Sequence, residues 1–308
     1  MIDTTKLYLS QEQAGSSVWD CLPFLTNLSE TYRQDTGQTY VAGHIGNLRI
    51  GVFEHGISIA GSLPKFYLGT NLYTLNRSDS RRAFEMMADT LHLPVQKATV
   101  SRVDIGMNLL TNCKPELYYP YLGQSSYYNR LTQPKSISYQ NNLRSKKFYN
   151  KIAESKSTGT AIPAIYQGKH VLRYEVCYTQ RLCKQFNRAL ITPGTLIDEA
   201  FYMSLIDRFV KEYESIKKIG IPKMDKMKMR TPKGFWEQVS TLAIPLLGQE
   251  NLLSLLEEMK AENGFSTDRN YYRIKDELIK RAGQTSTEQP ELIQELNKKV
   301  ARAKQSYR

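Results

Sequence analysis

Two periodicities divide the chain. Over the first 180 or so residues apolar positions alternate with polar or small ones: Leu48, Ile50 and Val52 keep a period of two, and Ile57 and Ile59 resume it after His55-Gly56. That pattern predicts two strands joined as a hairpin. Further strands are expected at 99–110, 136–152 and 171–179. One helix interrupts them, from about Ser78 to His92, with Ser78 or Asp79 as its cap, with Ala83, Met86, Met87, Thr90 and Leu91 near one face, and with Pro94 marking its end. The expected class is α+β, with helices covering one face of an antiparallel sheet.

From about Leu196 the spacing changes to three and four. Phe201, Leu205, Phe209, Tyr213 and Ile216 mark a helix that Gly220 and Pro222 stop. Segments 233–247, 249–263, 268–282 and 290–305 are each of helix length and separated by breaks containing Gly, Asn or Ser/Thr; Pro245 is expected to kink or split the first. The change of period places a boundary near Ile191-Thr192-Pro193-Gly194, giving an α+β domain over 1–190 and a helical domain over 191–308. No repeat of 20–50 residues stands out. Segment 249–282, with Gly264 at its turn, is compatible with a helix-turn-helix reader and equally with an ordinary helical hairpin.

Charge narrows the partners. The 308 residues carry a formal net charge of +12, and such an excess concentrates polyanions, which favours nucleic acid over a plain solubility surplus. Residues 217–233 hold seven cations and one acid, with Gly and two prolines opposing a continuous helix, so they read as a basic segment able to follow a phosphate backbone or as a solvated linker. Twenty tyrosines beside ten phenylalanines suit a protein that handles unpaired bases, although most should serve packing. The four cysteines form no CxxC pair and are expected to be reduced, mostly buried thiols. No run of 18 apolar residues and no basic-then-apolar N-terminus is present, so no membrane contact and a cytoplasmic location in the host cell are expected.

Candidate chemistry begins with two short stretches of one form, Arg102-Val103-Asp104 and Arg173-Tyr174-Glu175, each inside an apolar strand. Side chains at i and i+2 of a strand share a face, so each Arg projects with its acid. Spacing alone leaves two readings open: two Arg–acid ion pairs in a sheet, or paired carboxylates holding a Mg²⁺ or Mn²⁺ ion through oxygen ligands. Between them, residues 137–156 are dense in tyrosine and cation. Tyr139 precedes the polar turn Gln140-Asn141-Asn142, Tyr149 and Lys151 are expected on one strand face, and Glu154 follows. A tyrosine there would meet a phosphate held by Arg144, Lys146, Lys147 and Lys151, or the segment is a solvated basic hairpin with two packing tyrosines.

The series Gly61-Ser62-Leu63-Pro64-Lys65, then SRVDIG, then SYQNNLRSKKFYNK with Glu154, then LRYEV resembles phage and plasmid replication initiators of the filamentous-phage gene II/X type. The later part also resembles the rolling-circle initiators of Gram-positive plasmids, whose pattern runs Arg-x-Asp, Tyr, Ser, Tyr-x-Lys, Glu, Arg-x-Glu. Order and spacing agree over about residues 2–180. The resemblance implies a palm-like antiparallel sheet and a site-specific endonuclease and strand transferase that forms a phosphotyrosine link at an origin. It implies Tyr139 as nucleophile, with Tyr149 and Lys151 assisting, and Asp104 and Glu175 around Mg²⁺ or Mn²⁺, with Glu154 as a further candidate ligand. Lys65, Arg102, Arg144, Lys146, Lys147 and Arg173 are the candidate DNA contacts. Single-stranded and supercoiled origin DNA and the host helicase and polymerase are the implied partners. The His-hydrophobic-His triplet of HUH initiators is missing among His44, His55, His92 and His170, so either the ion rests on carboxylates or the chemistry is a different one. Two other readings compete: a non-catalytic origin-binding or regulatory protein, in which an arginine takes up each acid, and a mobilisation relaxase using the same chemistry.

Overall fold

A computed structural model describes residues 1–34, 37–223, 225, 227–284 and 287–307. Contacts divide the chain into two compact units, Met1–Lys218 with Leu292–Arg308, and Ile219–Glu291. The boundary expected near 190 falls inside the first unit, and the expected 290–305 helix, here Glu291–Ala301, lies mostly within the same unit, with Ile293, Leu296 and Val300 buried.

The first unit is built on a sheet of strands β1 (Ile2–Ser10), β2 (Thr26–Arg33), β3 (Gln38–Ile45), β4 (Leu48–Phe53), β5 (Gly56–Ser62), β6 (Thr99–Thr111), β8 (Asn129–Gln133), β9 (Ser136–Gln140), β10 (Arg144–Asn150) and β11 (His170–Tyr178). A further strand, β7 (Leu122–Ser125), pairs outside it. The order across the sheet is β2-β3-β4-β5-β1-β6-β11-β10-β9-β8, with every neighbouring pair antiparallel. The expected hairpin is β4–β5, and the expected strand 136–152 is the β9–β10 hairpin, which ends at Asn150. Lys151 instead opens the helix Lys151–Ser157, whose N-cap Asn150 accepts from Ala153 N. The expectation that Tyr149 and Lys151 share a strand face is therefore corrected: the cap converts the chain from period two to helix between them.

One face of the sheet is covered. Leu172, Tyr174, Val176 and Tyr178 of β11 meet Phe148 of β10 and the helix Glu199–Glu214, with Tyr174 stacked 4.4 Å from Phe148 and tilted 4.4 Å from Phe209. The helix spacing read from Phe201, Leu205, Phe209 and Tyr213 is thus the stripe that seals the sheet, which is why the period change at 190 marks no domain boundary. Its N-cap is Asp198, which accepts from Phe201 N. The earlier helix, Arg77–Leu91, buries Ala83, Phe84, Met87 and Leu91. Its cap is Asn76 rather than Ser78 or Asp79; Asp79 is the partner that returns a bond to the cap backbone.

The second unit holds the helices Pro232–Leu247, Gln249–Ala261 and Asp268–Gln284. The first continues through position 245 as one helix, so the expected split there does not occur. Tyr271 and Lys275 both donate to Glu257, at 2.6 and 2.7 Å, tying the last two together. Among the described residues no single helix is long and apolar enough to cross a membrane.

Candidate functional site

Strand pairing decides which side chains meet. β6 and β11 place Asp104 opposite Cys177, Gly106 opposite Glu175 and Asn108 opposite Arg173, while β10 places Lys147 opposite Glu175 and Tyr149 opposite Arg173. Directly opposed residues share a face. Asp104, Arg102, Arg173, Glu175, Lys147 and Tyr149 therefore all project from the face that the Glu199–Glu214 helix does not cover.

Arg173 is the centre of this group and is 2% exposed. Its guanidinium donates to Glu175 Oε1, to Asp3 Oδ2 at 2.8 Å, to Asn108 Oδ1 at 3.0 Å and to Asn71 O at 3.1 Å. Gly106 makes the approach possible, since a Cβ there would lie 2.7 Å from Arg173 Nη2. Arg102 forks onto Asp104, Nε to Oδ1 at 2.9 Å and Nη2 to Oδ2 at 2.6 Å. Burial raises the pKa of Asp104; Arg102 opposes the rise, and the nearby charges of Glu175 and Asp3 add to it. Three acids and two arginines thus share one patch, and Asp3 is the member that sequence spacing missed. Its signal was available: an acid inside the apolar alternation of Ile2–Ser10, paired with β6.

Tyr149 lies beside this patch. Its hydroxyl donates to Glu175 Oε1 at 2.9 Å, and burial raises its pKa, with Arg173 opposing and Glu175 reinforcing. Lys147 Nζ and Lys151 Nζ stand 5.3 and 6.0 Å from its ring centre. A cavity of about 300 Å³ opens there, lined by Lys135, Lys147, Tyr149, Asn150, Glu154 and Glu175 among others. Lys151 is almost fully buried and donates to Glu154 Oε2 at 2.6 Å; burial lowers its pKa, as do the charges of Arg173 and Lys65, while Glu154 opposes them. Lys65, from the helix Leu63–Leu68, thereby belongs to the same neighbourhood.

Three expected site residues lie on the other face. Tyr139 is 0% exposed, and its hydroxyl donates to Leu122 O at 3.0 Å and Gly123 O at 2.8 Å. Burial pushes the phenol up to about 12 against the opposing charge of Arg130. Lys146, directly opposite it, is also fully buried and is held by Glu212 Oε2 at 3.0 Å, Ser125 Oγ at 2.8 Å and Ser215 Oγ at 2.8 Å. Arg144 donates to Glu212 Oε1 at 2.6 Å. The expectations of Tyr139 as an accessible nucleophile and of Lys146 and Arg144 as DNA contacts are corrected, because the hairpin register turns all three toward the Glu199–Glu214 helix. Arg173 is corrected as a DNA contact too: it faces the open side but spends its donors within the protein.

The carboxylates expected around an ion are each held by a cation: Asp104 by Arg102, Glu175 by Arg173, Glu154 by Lys151. Among the described residues no group of three His, Cys, Asp or Glu side chains converges in a way that would hold a metal ion. As arranged, the donors do not fit a resident Mg²⁺ or Mn²⁺. All four cysteines are free thiols, but only Cys21 is buried; Cys113, Cys177 and Cys183 are partly exposed, so the expectation of mostly buried thiols is corrected.

No curated protein matches the chain. A family described as the N-terminal part of a phage replication-associated protein matches residues 1–215, a span that takes in every strand of the large sheet, the tyrosine–carboxylate face and the Glu199–Glu214 helix that closes the other side. The chain belongs to this family of phage replication-associated proteins, and its role is in initiating replication.

Proposed function

We propose that this initiator cuts one strand of its origin by transesterification, with Tyr149 as the nucleophile. The observation that carries the reading is the 2.9 Å bond from the Tyr149 hydroxyl to Glu175, at the wall of an open cavity bordered by Lys147 and Lys135. Glu175 takes the phenolic proton as the Tyr149 oxygen bonds to phosphorus; the bond from phosphorus to the 3′-oxygen breaks, that oxygen takes a proton from solvent water in the open cavity and leaves as a free hydroxyl, and Glu175 returns its proton to solvent. Lys147 faces the charge that develops on the phosphate oxygens. A polymerase can extend the hydroxyl, and the reverse reaction reseals the strand.

No step is routed through a metal ion. A Mg²⁺ or Mn²⁺ requirement is proposed on the acid-rich composition of the face alone: Asp104 and Glu175 would have to exchange Arg102 and Arg173 for the ion. Activity lost in chelator and restored by Mn²⁺ supports it, whereas full activity in chelator removes it.

Incubating the protein with supercoiled DNA bearing its own origin, with and without divalent ion, tests the whole reading. The expected products are nicked circles carrying a protease-sensitive adduct whose mass maps to Tyr149, and Tyr149→Phe should lower adduct formation by at least about 10³-fold, in the range for loss of an essential nucleophile. A second reading, a non-catalytic origin-binding protein, is favoured by the arginine pairing of both Asp104 and Glu175. It predicts origin binding with no adduct in either variant.

A further inference from the structure

The face that carries Tyr149 continues across the sheet beyond β6. Pairing places Arg102 beside Lys6, Lys6 beside Ala60, and Ala60 beside Arg49, so three cations lie in one row across four strands. Lys6 and Arg49 are exposed, and the Arg102 side chain is 43% exposed even while it holds Asp104. Two residues further along β1, about 7 Å from that row, Tyr8 is 39% exposed and donates to His55 O at 3.1 Å, which fixes its ring.

Small residues keep the surface between these side chains low: Ser58 stands opposite Tyr8 and Gly51 opposite Ser58. Over Gly51 sits a pair of rings, Phe53 and Tyr40, stacked at 4.7 Å with 20° between their planes. A Cβ at position 51 would lie 3.1 Å from the Phe53 ring, so glycine is what lets the pair lie flat. A cavity of about 540 Å³ runs along this strip, lined by Lys6, Tyr8, Thr39, Phe53, His55 and Ser58 among others. Among the described residues the one acid on its rim, Glu54, is 3.9 Å from His55 Nε2.

We propose that this strip of β1, β5, β4 and β3 binds single-stranded DNA, with unpaired bases stacking on Tyr8 and on the Phe53–Tyr40 pair and phosphates following the row of Arg102, Lys6 and Arg49. The offset between the aromatic positions and the cation row matches a nucleotide, whose base and phosphate are held apart by the sugar. Aromatic rings beside a basic track bind unpaired bases with little regard to sequence, because each base has a π face. The strip lies six strand spacings from Tyr149 at its far end, about 29 Å, which places several nucleotides between it and the scissile phosphate. The inference rests on the reading of this face as the DNA-cutting face and adds where the strand runs.

The test uses the full chain carrying Tyr149→Phe, so that binding is read without cutting, and a labelled 25-nucleotide oligo-dT as the probe. Replacing both Tyr8 and Phe53 by Leu should weaken binding roughly five- to hundred-fold, the range for lost base stacking. Photocrosslinking of the parent protein to the same oligonucleotide substituted with 5-iodo-deoxyuridine should give adducts at Tyr8, Tyr40 or Phe53. Affinity equal to the parent in a folded double variant, or crosslinks confined to other surfaces, overturns the proposal; if the double variant does not fold, the crosslink map decides. Failure of the cutting reading is separately visible, as nicking of origin DNA by Tyr149→Phe at the parent rate.

Discussion

Tyr139 and Tyr149 stand ten positions apart on one hairpin and meet opposite environments. A three-residue connection between β9 and β10 sets Tyr139 against Lys146, so even positions of β10 turn toward the core and odd ones toward the open face. Tyr139 then serves as a buried donor to two backbone carbonyls, whose partners disappear in Tyr139→Phe. That variant should lose about 1–3 kcal/mol of stability, read by chemical denaturation, and the folded protein should still form the adduct. An adduct lost together with unchanged stability would restore Tyr139 as the nucleophile. Lys218 is a second residue whose surroundings set its chemistry: burial, and then the charge of Lys146, lower its pKa to about 8, while Nζ donates to Tyr213 O and Ile216 O at 2.7 Å each. The unfolded chain holds that proton up to about pH 10.5, so between about pH 8 and 10.5 it binds more protons than the folded one, and this group's contribution to stability rises with pH. Lys218→Met should remove that rise, visible as a smaller upward slope of Tm with pH than in the parent.

At the scale of elements, β6 and β11 act as one device. Their antiparallel pairing joins two Arg-x-acid strings, which with Asp3 of β1 form a five-member charge cluster, and Gly106 supplies the space for the Arg173 guanidinium. Ala at 106 puts a methyl group 2.7 Å from Nη2, and Arg173 can move only by giving up bonds to Asp3, Asn108 or Glu175. Gly106→Ala should therefore destabilise the fold by about 1–3 kcal/mol, as overpacking does, and slow adduct formation more than it weakens DNA binding. Adduct formation at the parent rate would show that the Arg173–Glu175 geometry does not position the tyrosine. The Asn150 cap is a further device of this kind, because it turns the chain off the strand, sets Glu154 in the wall beside Tyr149 and buries Lys151 behind it, bonded to Glu154.

At the scale of the whole molecule, residues 219–291 are an insertion. The chain leaves the sheet unit after Lys218 and returns at Leu292, and near both ends Ile221–Pro222 pairs with Thr287–Glu288, with Ile221 opposite Glu288. Paired strands hold those ends about 5 Å apart. Replacing 219–291 by a short Gly/Ser linker should thus leave a folded protein that cuts single-stranded DNA, with origin choice or affinity reduced; circular dichroism and an oligonucleotide cleavage assay read the two parts. A fragment ending at 185 should not fold, because it strips Phe201, Leu205, Phe209 and Tyr213 from the sheet.

Period-two alternation, helical spacing and the order of short motifs were enough to determine the strands from β4 to β6 and from β9 to β11, the long helices, the shared face of each arginine and its acid, and the family. These are local properties: a residue's neighbours at i+2 or i+3 and i+4 depend on backbone geometry alone. Which face of a strand is covered is not local. It depends on the Glu199–Glu214 helix returning to β10 and β11, and that choice hid Tyr139 and Lys146, turned Tyr149 to the open face, and drew Asp3 from the N-terminal strand into the site. Alternation tells that two side chains point opposite ways; only the packing of distant elements decides which of the two directions is solvent.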